Sequence, residues 1–447
     1  MKINSNSRAP IQFEDFYRAG SLKTILVFLS LVASNLSQAQ LALDFSATLE
    51  LIQNPLRLPE PGQDELLSTL TFGAQLERQT QFVDTNFSYN ASRLEYAEDL
   101  LSDRQLIEGN GVLTFKIVPD LFSWRLLNTR SNQLIDISQP DISDNQQIID
   151  YTATGPELTL IVNSASFINM SAEWGLVNYE EAEYLNQKRN VYNFNFTRRL
   201  GSRFSASIRS NFTNTNFDTL DNLNYDSVNL SAGLDLIAED YSLSLEAGEY
   251  KNRRAGQEVS FPIASVSGRY LLNSRIELSA EFSESVEDLL SDLRSQNIVD
   301  QSFIDAGIET DSNLGNSNIG NLYQSRGSSI GVTYAEESRY TFGLNYSVRR
   351  RDNIGSAGSE ETERISASLQ LPLGNRLSLN LTAQYSILDF SQQQRIHKRK
   401  EFRIGGSYRV RNNVNLIFFA VDSDQNGDVP EDKYHGRNIG IGLSVRR

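Results

Sequence analysis

The stretch Arg376 to Ile387, RLSLNLTAQYSI, alternates without a break. Leu377, Leu379, Leu381, Ala383, Tyr385 and Ile387 fall on one side, Ser378, Asn380, Thr382, Gln384 and Ser386 on the other. A period of two is the signature of an extended strand with one apolar and one polar face. The same pattern returns at Leu230 to Leu236, Ile276 to Phe282, Tyr340 to Val348 and Ile439 to Val445. In all there are about 20 such segments of roughly 11 to 15 residues, where about 9 to 11 suffice to cross a bilayer at a tilt. No amphipathic helix interrupts them. A chain patterned this way builds sheet, and the open question is which solvent its apolar row faces.

The connections decide. Tight ones read Val118-Pro119-Asp120, Leu200-Gly201-Ser202, Ala238-Glu239-Asp240, Asn273-Ser274, Glu336-Glu337-Ser338 and Leu373-Gly374-Asn375. Long polar ones run Asn54 to Glu65, Ala97 to Glu108, Ser131 to Gln147, Glu180 to Lys188, Asp352 to Glu360, Ser391 to Lys400 and Asp422 to Asp432. Short and long take turns, so in an antiparallel meander one end carries the tight turns and the other the long loops. That asymmetry belongs to outer-membrane barrels, with short periplasmic turns and long extracellular loops. A soluble sandwich also alternates, but it spans about 100 residues per domain with Greek-key crossovers. Here roughly 400 residues pass without a linker. The expected fold is all-β: a single transmembrane antiparallel up-and-down β-barrel of about 20 strands, within a range of roughly 16 to 20. Strands in hydrocarbon cannot leave N–H and C=O groups unpaired, so the sheet must close. Phe204, Tyr241 and Tyr340 after tight turns, and Phe217 and Phe390 before long loops, read as interfacial girdles.

Composition narrows the setting. The one long apolar run, Thr24 to Leu36, is too short to span as a helix. It follows Arg18 and Lys23 and ends at Ser37-Gln38-Ala39, the pattern of a secretory signal peptide over residues 1–39 with a long n-region. The barrel domain is then 40–447. The 447 residues hold no Cys, so an exported chain must rely on burial and backbone pairing alone. A net charge of −15 argues against nucleic acid. The expected setting is the outer membrane of a Gram-negative bacterium. The expected partners are its lipid and lipopolysaccharide and the outer-membrane assembly machinery. Strand one, with Leu43, Phe45, Ala47 and Leu49, starts almost at the cleavage site, so no N-terminal plug is expected and the lumen should be wet unless loops fold inward.

With Leu, Phe and Tyr toward lipid, parity puts Glu173, Arg199, Arg209, Asp235, Glu246, Glu277, Glu281, Arg349, Arg364, Arg403 and Arg409 in the lumen. Solvation of a wet wall explains them; a track for a polar solute such as a glycan is the functional alternative. Residues Asp422, Asp424, Asn426 and Asp428, in DSDQNGD, resemble the first half of a calcium loop, with Gly427 at the sharp turn. The bidentate Glu of such loops is replaced by Lys433, and a hairpin loop would use the same residues for turn chemistry. Ca2+ is the only cofactor suggested. His397 lies in the basic run Arg395 to Lys400, expected in an extracellular loop, and His435 begins the last strand near the same rim. The run could meet lipopolysaccharide phosphates or be merely solvated. The histidines leave open a hydrolase at the outer rim, with no nucleophile signature beside them. The segment 286–321, opening VEDLLSDLRSQ, is expected to be a long extracellular or in-folded loop.

The mature chain resembles the outer-membrane barrels associated with the PEP-CTERM/exosortase system and exopolysaccharide gene clusters. The resemblance is clearest over residues 150–212, where Thr154-Gly155-Pro156 is followed by long tyrosine-rich hairpins, and the layout extends over nearly the whole mature chain. One departure is the end of the chain, Val445-Arg446-Arg447, where barrels of this kind often close on an aromatic residue. The resemblance implies a porin-like, non-enzymatic protein tied to polysaccharide export, with polysaccharide and export proteins as partners. It supplies no catalytic residues. Three functions therefore stand as expectations: a conduit for polar solute, a surface-interaction barrel displaying acidic loops, and an outer-rim hydrolase.

Overall fold

The computed structural model describes residues 40–446 apart from 60–61, 99, 135–144, 288–321, 337–338, 355–357 and 392–393. The signal peptide and nearly all of the loop expected at 286–321 lie outside the described residues. Twenty strands follow in chain order. The first ten are β1 (Gln40–Ile52), β2 (Glu65–Gln79), β3 (Val83–Tyr96), β4 (Arg104–Val118), β5 (Phe122–Leu134), β6 (Gln146–Asn163), β7 (Ser166–Tyr179), β8 (Gln187–Arg199), β9 (Phe204–Phe217) and β10 (Tyr225–Ile237). The second ten are β11 (Tyr241–Arg254), β12 (Gln257–Leu271), β13 (Ile276–Glu287), β14 (Tyr323–Glu336), β15 (Tyr340–Asn353), β16 (Ser359–Leu373), β17 (Leu377–Phe390), β18 (Arg395–Arg411), β19 (Val414–Gly427) and β20 (Tyr434–Arg446). Each pairs antiparallel with its neighbours in sequence, and β1 pairs with β20 from Asp44↔Arg446 to Ile52↔Asn438. The sheet closes. The strands pair all the way round the ring, which is the condition hydrocarbon imposes.

Exposure separates the two faces. In β10, Leu230 and Leu234 are 55% and 54% exposed, whereas Ser227 and Ser231, of the opposite parity, are 5% and 4%. Register carries that parity around the ring: Leu234 faces Leu245 of β11 and Ala206 of β9, and Asp235 faces Ser244 and Ser205. The outward row Leu377–Leu379–Leu381–Ala383–Tyr385–Ile387 of β17 gives way to charge only near the long-loop end, at Asp389. β17 thus presents about five apolar side chains to lipid, roughly the height of a 25 Å band. Phe204, Tyr241 and Tyr340 sit in these outward rows at the tight-turn end, as girdle residues do. Phe217 and Phe390 do not. They share the inward parity of Thr215 and Ser386 and are 4% and 6% exposed, so they belong to the interior rather than to a girdle.

Two local features bend the regular pattern. In β6 the ladder to β7 holds at Thr154↔Trp174 and again at Glu157↔Ser171, with Gly155 and Pro156 unpaired between them. The backbones approach so closely there that a Cβ on Gly155 would lie 1.8 Å from the Ala172 carbonyl oxygen. Gly155→Ala is therefore expected to cost about 1–3 kcal/mol by forcing the strands apart; denaturant titration of the detergent-solubilised barrel reads it, and an unmoved midpoint would refute the close approach. The second feature is a seam. β12 pairs with β13 only from Ala264↔Glu284 downward, although β11–β12 pairing continues to Gln257. Pro262, with no N–H to give a ladder, stands where pairing would continue.

Candidate functional site

Beneath the loops the inward wall is mostly polar, interrupted by apolar side chains such as Val191 of β8 and Ile417, Phe419 and Val421 of β19. All eleven charged residues singled out by parity stand in the inward rows. Several are paired, across strands or along one. Arg209 donates to Glu246, which also accepts from Ser231 Oγ at 2.5 Å. Asp235 accepts from Ser244 Oγ at 2.6 Å. Arg269 stands 3.6 Å from Glu277. Arg349 reaches Glu287 at 2.5 Å and Ser325 Oγ at 3.1 Å. Arg403 pairs with Glu401, and Tyr151 donates its hydroxyl to Glu173. Among the described residues Arg199, Glu281, Arg364 and Arg409 make no side-chain ion pair. A wall of this kind holds water and polar solute, because its charges are largely neutralised sideways or stand along the lumen without an ion pair.

The long-loop mouth has another character. Ile149, Tyr151, Val177, Tyr179, Phe217 and Tyr225 point inward from β6 to β10 and pack into one buried apolar cluster. Loop residues complete it: Ala182 and Leu185 from the β7–β8 connection and Leu322 at the entry to β14, with Leu220, Leu223 and Ile354 packed against it. Leu185 is 2% exposed. Side chains from β6 round to the exit of β15 therefore meet over the lumen, bridging half of the ring. The loops do fold inward, and they close this sector of the mouth with apolar contact.

A repeated sequence device holds these loops down. In YEEAEYLN (Tyr179 to Asn186) and FDTLDNLN (Phe217 to Asn224), an inward aromatic ends a strand and an Asn seven residues later opens the next. The aromatic N–H donates to the Asn side-chain oxygen, at 2.8 Å for Tyr179–Asn186 and 2.7 Å for Phe217–Asn224. Tyr96 and Asp103 repeat the contact at 2.9 Å across the β3–β4 connection. In the first two loops a single 3-10 turn, Glu183–Leu185 or Asp221–Leu223, aims its leucine into the cluster. Thr219 Oγ1 donates to the Tyr184 carbonyl at 2.8 Å and ties the two loops together. Composition and alternation do not reveal this cap; an aromatic and an Asx seven apart across a polar connection are its one local trace in the sequence.

The remaining sequence-derived candidates are placed differently from expectation. Arg395 to Lys400 is not loop but the upper part of β18, and Asp422 to Gly427 is the upper part of β19. Both strands run on above the lipid band, their ladder continuing from Arg403↔Val421 to His397↔Gly427. Asp422, Asp424 and Asn426 consequently point outward along an extended strand, about 7 Å apart, too far to wrap a cation at the 2.3–2.6 Å of a calcium shell. Asp422 instead accepts from Arg437 Nε at 2.6 Å, and Asp428 from the Ile396 N–H at 3.1 Å. Among the described residues no group of three or more His, Asp or Glu side chains is arranged to hold a metal. His397 points inward, 3% exposed, with Nε2 3.1 Å from Asp432. His435 points outward, 3.7 Å from Asp422. The two histidines stand on opposite faces of the wall and share no site.

No family model matches the sequence, and no curated protein matches it. Solved structures do. The FrpB iron transporter from Neisseria meningitidis, F3-3 variant, superposes with a TM-score of 0.52 at 10% identity, covering 94% of this chain and 83% of that one. The apoprotein form of its F5-1 variant gives 0.51 at 10% identity, covering 94% and 82%. At such identity the likeness speaks of fold: a closed antiparallel barrel of the outer-membrane type.

Proposed function

We propose that this protein is a gated conduit of the outer membrane, passing a polar solute along its charged inner wall and shut at the extracellular mouth by the apolar cap. The carrying observation is the contrast within the lumen: hydroxyls and charges dominate the wall, and apolar side chains of β6 to β10 gather with the in-folded loops at the long-loop mouth. FrpB, an iron transporter, has the same barrel architecture, which supports movement of solute as the role. The resemblance of residues 150–212 to exosortase-associated barrels supports an exopolysaccharide as the solute, and the many inward Ser, Thr and Asn side chains suit sugar hydroxyls. The packed cap also favours a second reading, a barrel that conducts nothing and presents its loops to a partner.

Planar-bilayer recording separates the two. The unmodified protein is expected to give brief, rare openings, and a variant with the cap loosened a steady current. A steady large current from the unmodified protein would show that the cap does not seal. Silence from both proteins would leave the surface-interaction barrel as the better account.

A further inference from the structure

We propose that the inward face of β15 to β18 is a binding site for an oxyanion carried by the solute, most simply the carboxylate of a sugar acid. The protein as a whole is acidic, at −15, yet this part of the wall is not. Its inward rows carry Arg349, Arg351, Arg364, Arg399 and Arg403 against Glu360 and Glu401. The acids do not suffice. Glu401 is shared, at 2.7 Å from Arg399 and in contact with Arg403. Glu287, from β13, engages Arg349.

Arg364 is the centre of the argument. Register sets it between Ser347 of β15 and Ser386 of β17, and Ser386 in turn faces Arg399 of β18. Two arginines therefore flank one buried serine, their Cα atoms two strand spacings or about 10 Å apart. Ser386 is 3% exposed. The Arg364 Nε is buried without a hydrogen-bond partner, and no carboxylate reaches its guanidinium among the described residues. A buried donor without a partner is costly, and a guanidinium fork pairs best with a two-oxygen anion. A hydroxyl-bearing ligand with one acid group would satisfy both needs, giving its carboxylate to Arg364 and its hydroxyls to the serines.

This deepens the reading of the lumen as a solute path and rests on it, but binding can be read without flux. Calorimetric titration of the detergent-solubilised full chain with tetragalacturonate, maltotetraose and inorganic phosphate is the test. Tetragalacturonate is expected to bind and maltotetraose not to. Arg364→Gln and Arg399→Gln should each weaken the acid ligand by about tenfold, the loss of a charge-assisted contact. Arg364→Lys should recover part of the loss. Phosphate displacing tetragalacturonate would mark a general oxyanion site; failure to displace it would mark a sugar-acid site. The proposal is overturned if maltotetraose binds as tightly as tetragalacturonate, if neither binds at millimolar concentration, or if Arg364→Gln binds like the parent while its barrel remains folded by heat-modifiable migration. A closed pore in the bilayer, with acid binding intact, would count against the conduit and leave this site standing.

Discussion

Replacing Leu185 with aspartate is expected to convert rare openings of the barrel into a steady current. Leu185 is the most deeply buried loop side chain of the cap, at 2% exposure, and it arrives from a 3-10 turn held by a handful of hydrogen bonds, among them Tyr179–Asn186, Leu185–Ala182 and Thr219–Tyr184. Removing a buried leucine costs about 2–5 kcal/mol, and placing an ionised carboxylate there adds a desolvation penalty. None of that penalty falls on the barrel, whose closure resides in backbone ladders below the cap. It falls on the closed position of the loop, because the open loop would hydrate the aspartate freely. A shift of about 3 kcal/mol changes the closed-to-open ratio roughly 100-fold. Tyr184→Asp is the matched control, one residue away and 56% exposed, and should leave the gating unaltered. Equal currents from the two variants would mean that the apolar cluster does not hold the mouth.

How far the sequence reveals this molecule depends on whether its two faces differ. Within the lipid band they do. Alternation there exposes the strands, their number, the closure of the ring and the direction of every inward charge, because a slip of one residue would exchange the faces. Above the band both faces are wet and the contrast disappears. Arg395 to Lys400 and Asp422 to Gly427 are polar on both sides, so they read as loop although their backbones remain paired in β18 and β19. The mistaken calcium loop follows from that same loss of contrast. Phe217 and Phe390 show the complementary error: position near a strand end suggests a girdle, but parity, which is the stronger constraint, sends them inside.

The cap is legible only in part. An aromatic residue and an Asx seven apart make the same backbone contact at Tyr96–Asp103, Tyr179–Asn186 and Phe217–Asn224, each spanning a strand end and the start of the next strand, whereas the same spacing inside a strand, as at Phe204–Asn211, makes no such contact. What no local pattern contains is the meeting of those loops with Leu322 and Ile354 across the mouth. That contact depends on ring curvature and strand tilt, which arise only when all twenty strands have closed. The Arg364 site has the same origin. Each arginine is a single inward residue in its own strand, and only register brings Arg364 and Arg399 to either side of Ser386.

The proposition that lipid contacts one row and water the other is tested most sharply within β17. Leu381→Arg and Asn380→Arg differ by one position in sequence and by the whole thickness of the wall in space. Leu381 faces Leu369 and Ile404, an outward apolar neighbourhood in mid-strand. An arginine there must either stay in hydrocarbon or distort the strand to reach a headgroup, at a cost of about 2–4 kcal/mol near the midplane. Asn380 faces Gln370 and Gly405 in the lumen, where an arginine finds space and water, and its cost should be within about 0.5 kcal/mol. Equilibrium unfolding of each variant in lipid vesicles measures the difference directly. In a soluble fold whose apolar row packed on a second layer, Leu381→Arg would be no less harmful in lipid-free buffer. Here the penalty should require the bilayer and shrink as its acyl chains are shortened. Equal destabilisation by the two arginines would mean that the wall has no lipid side.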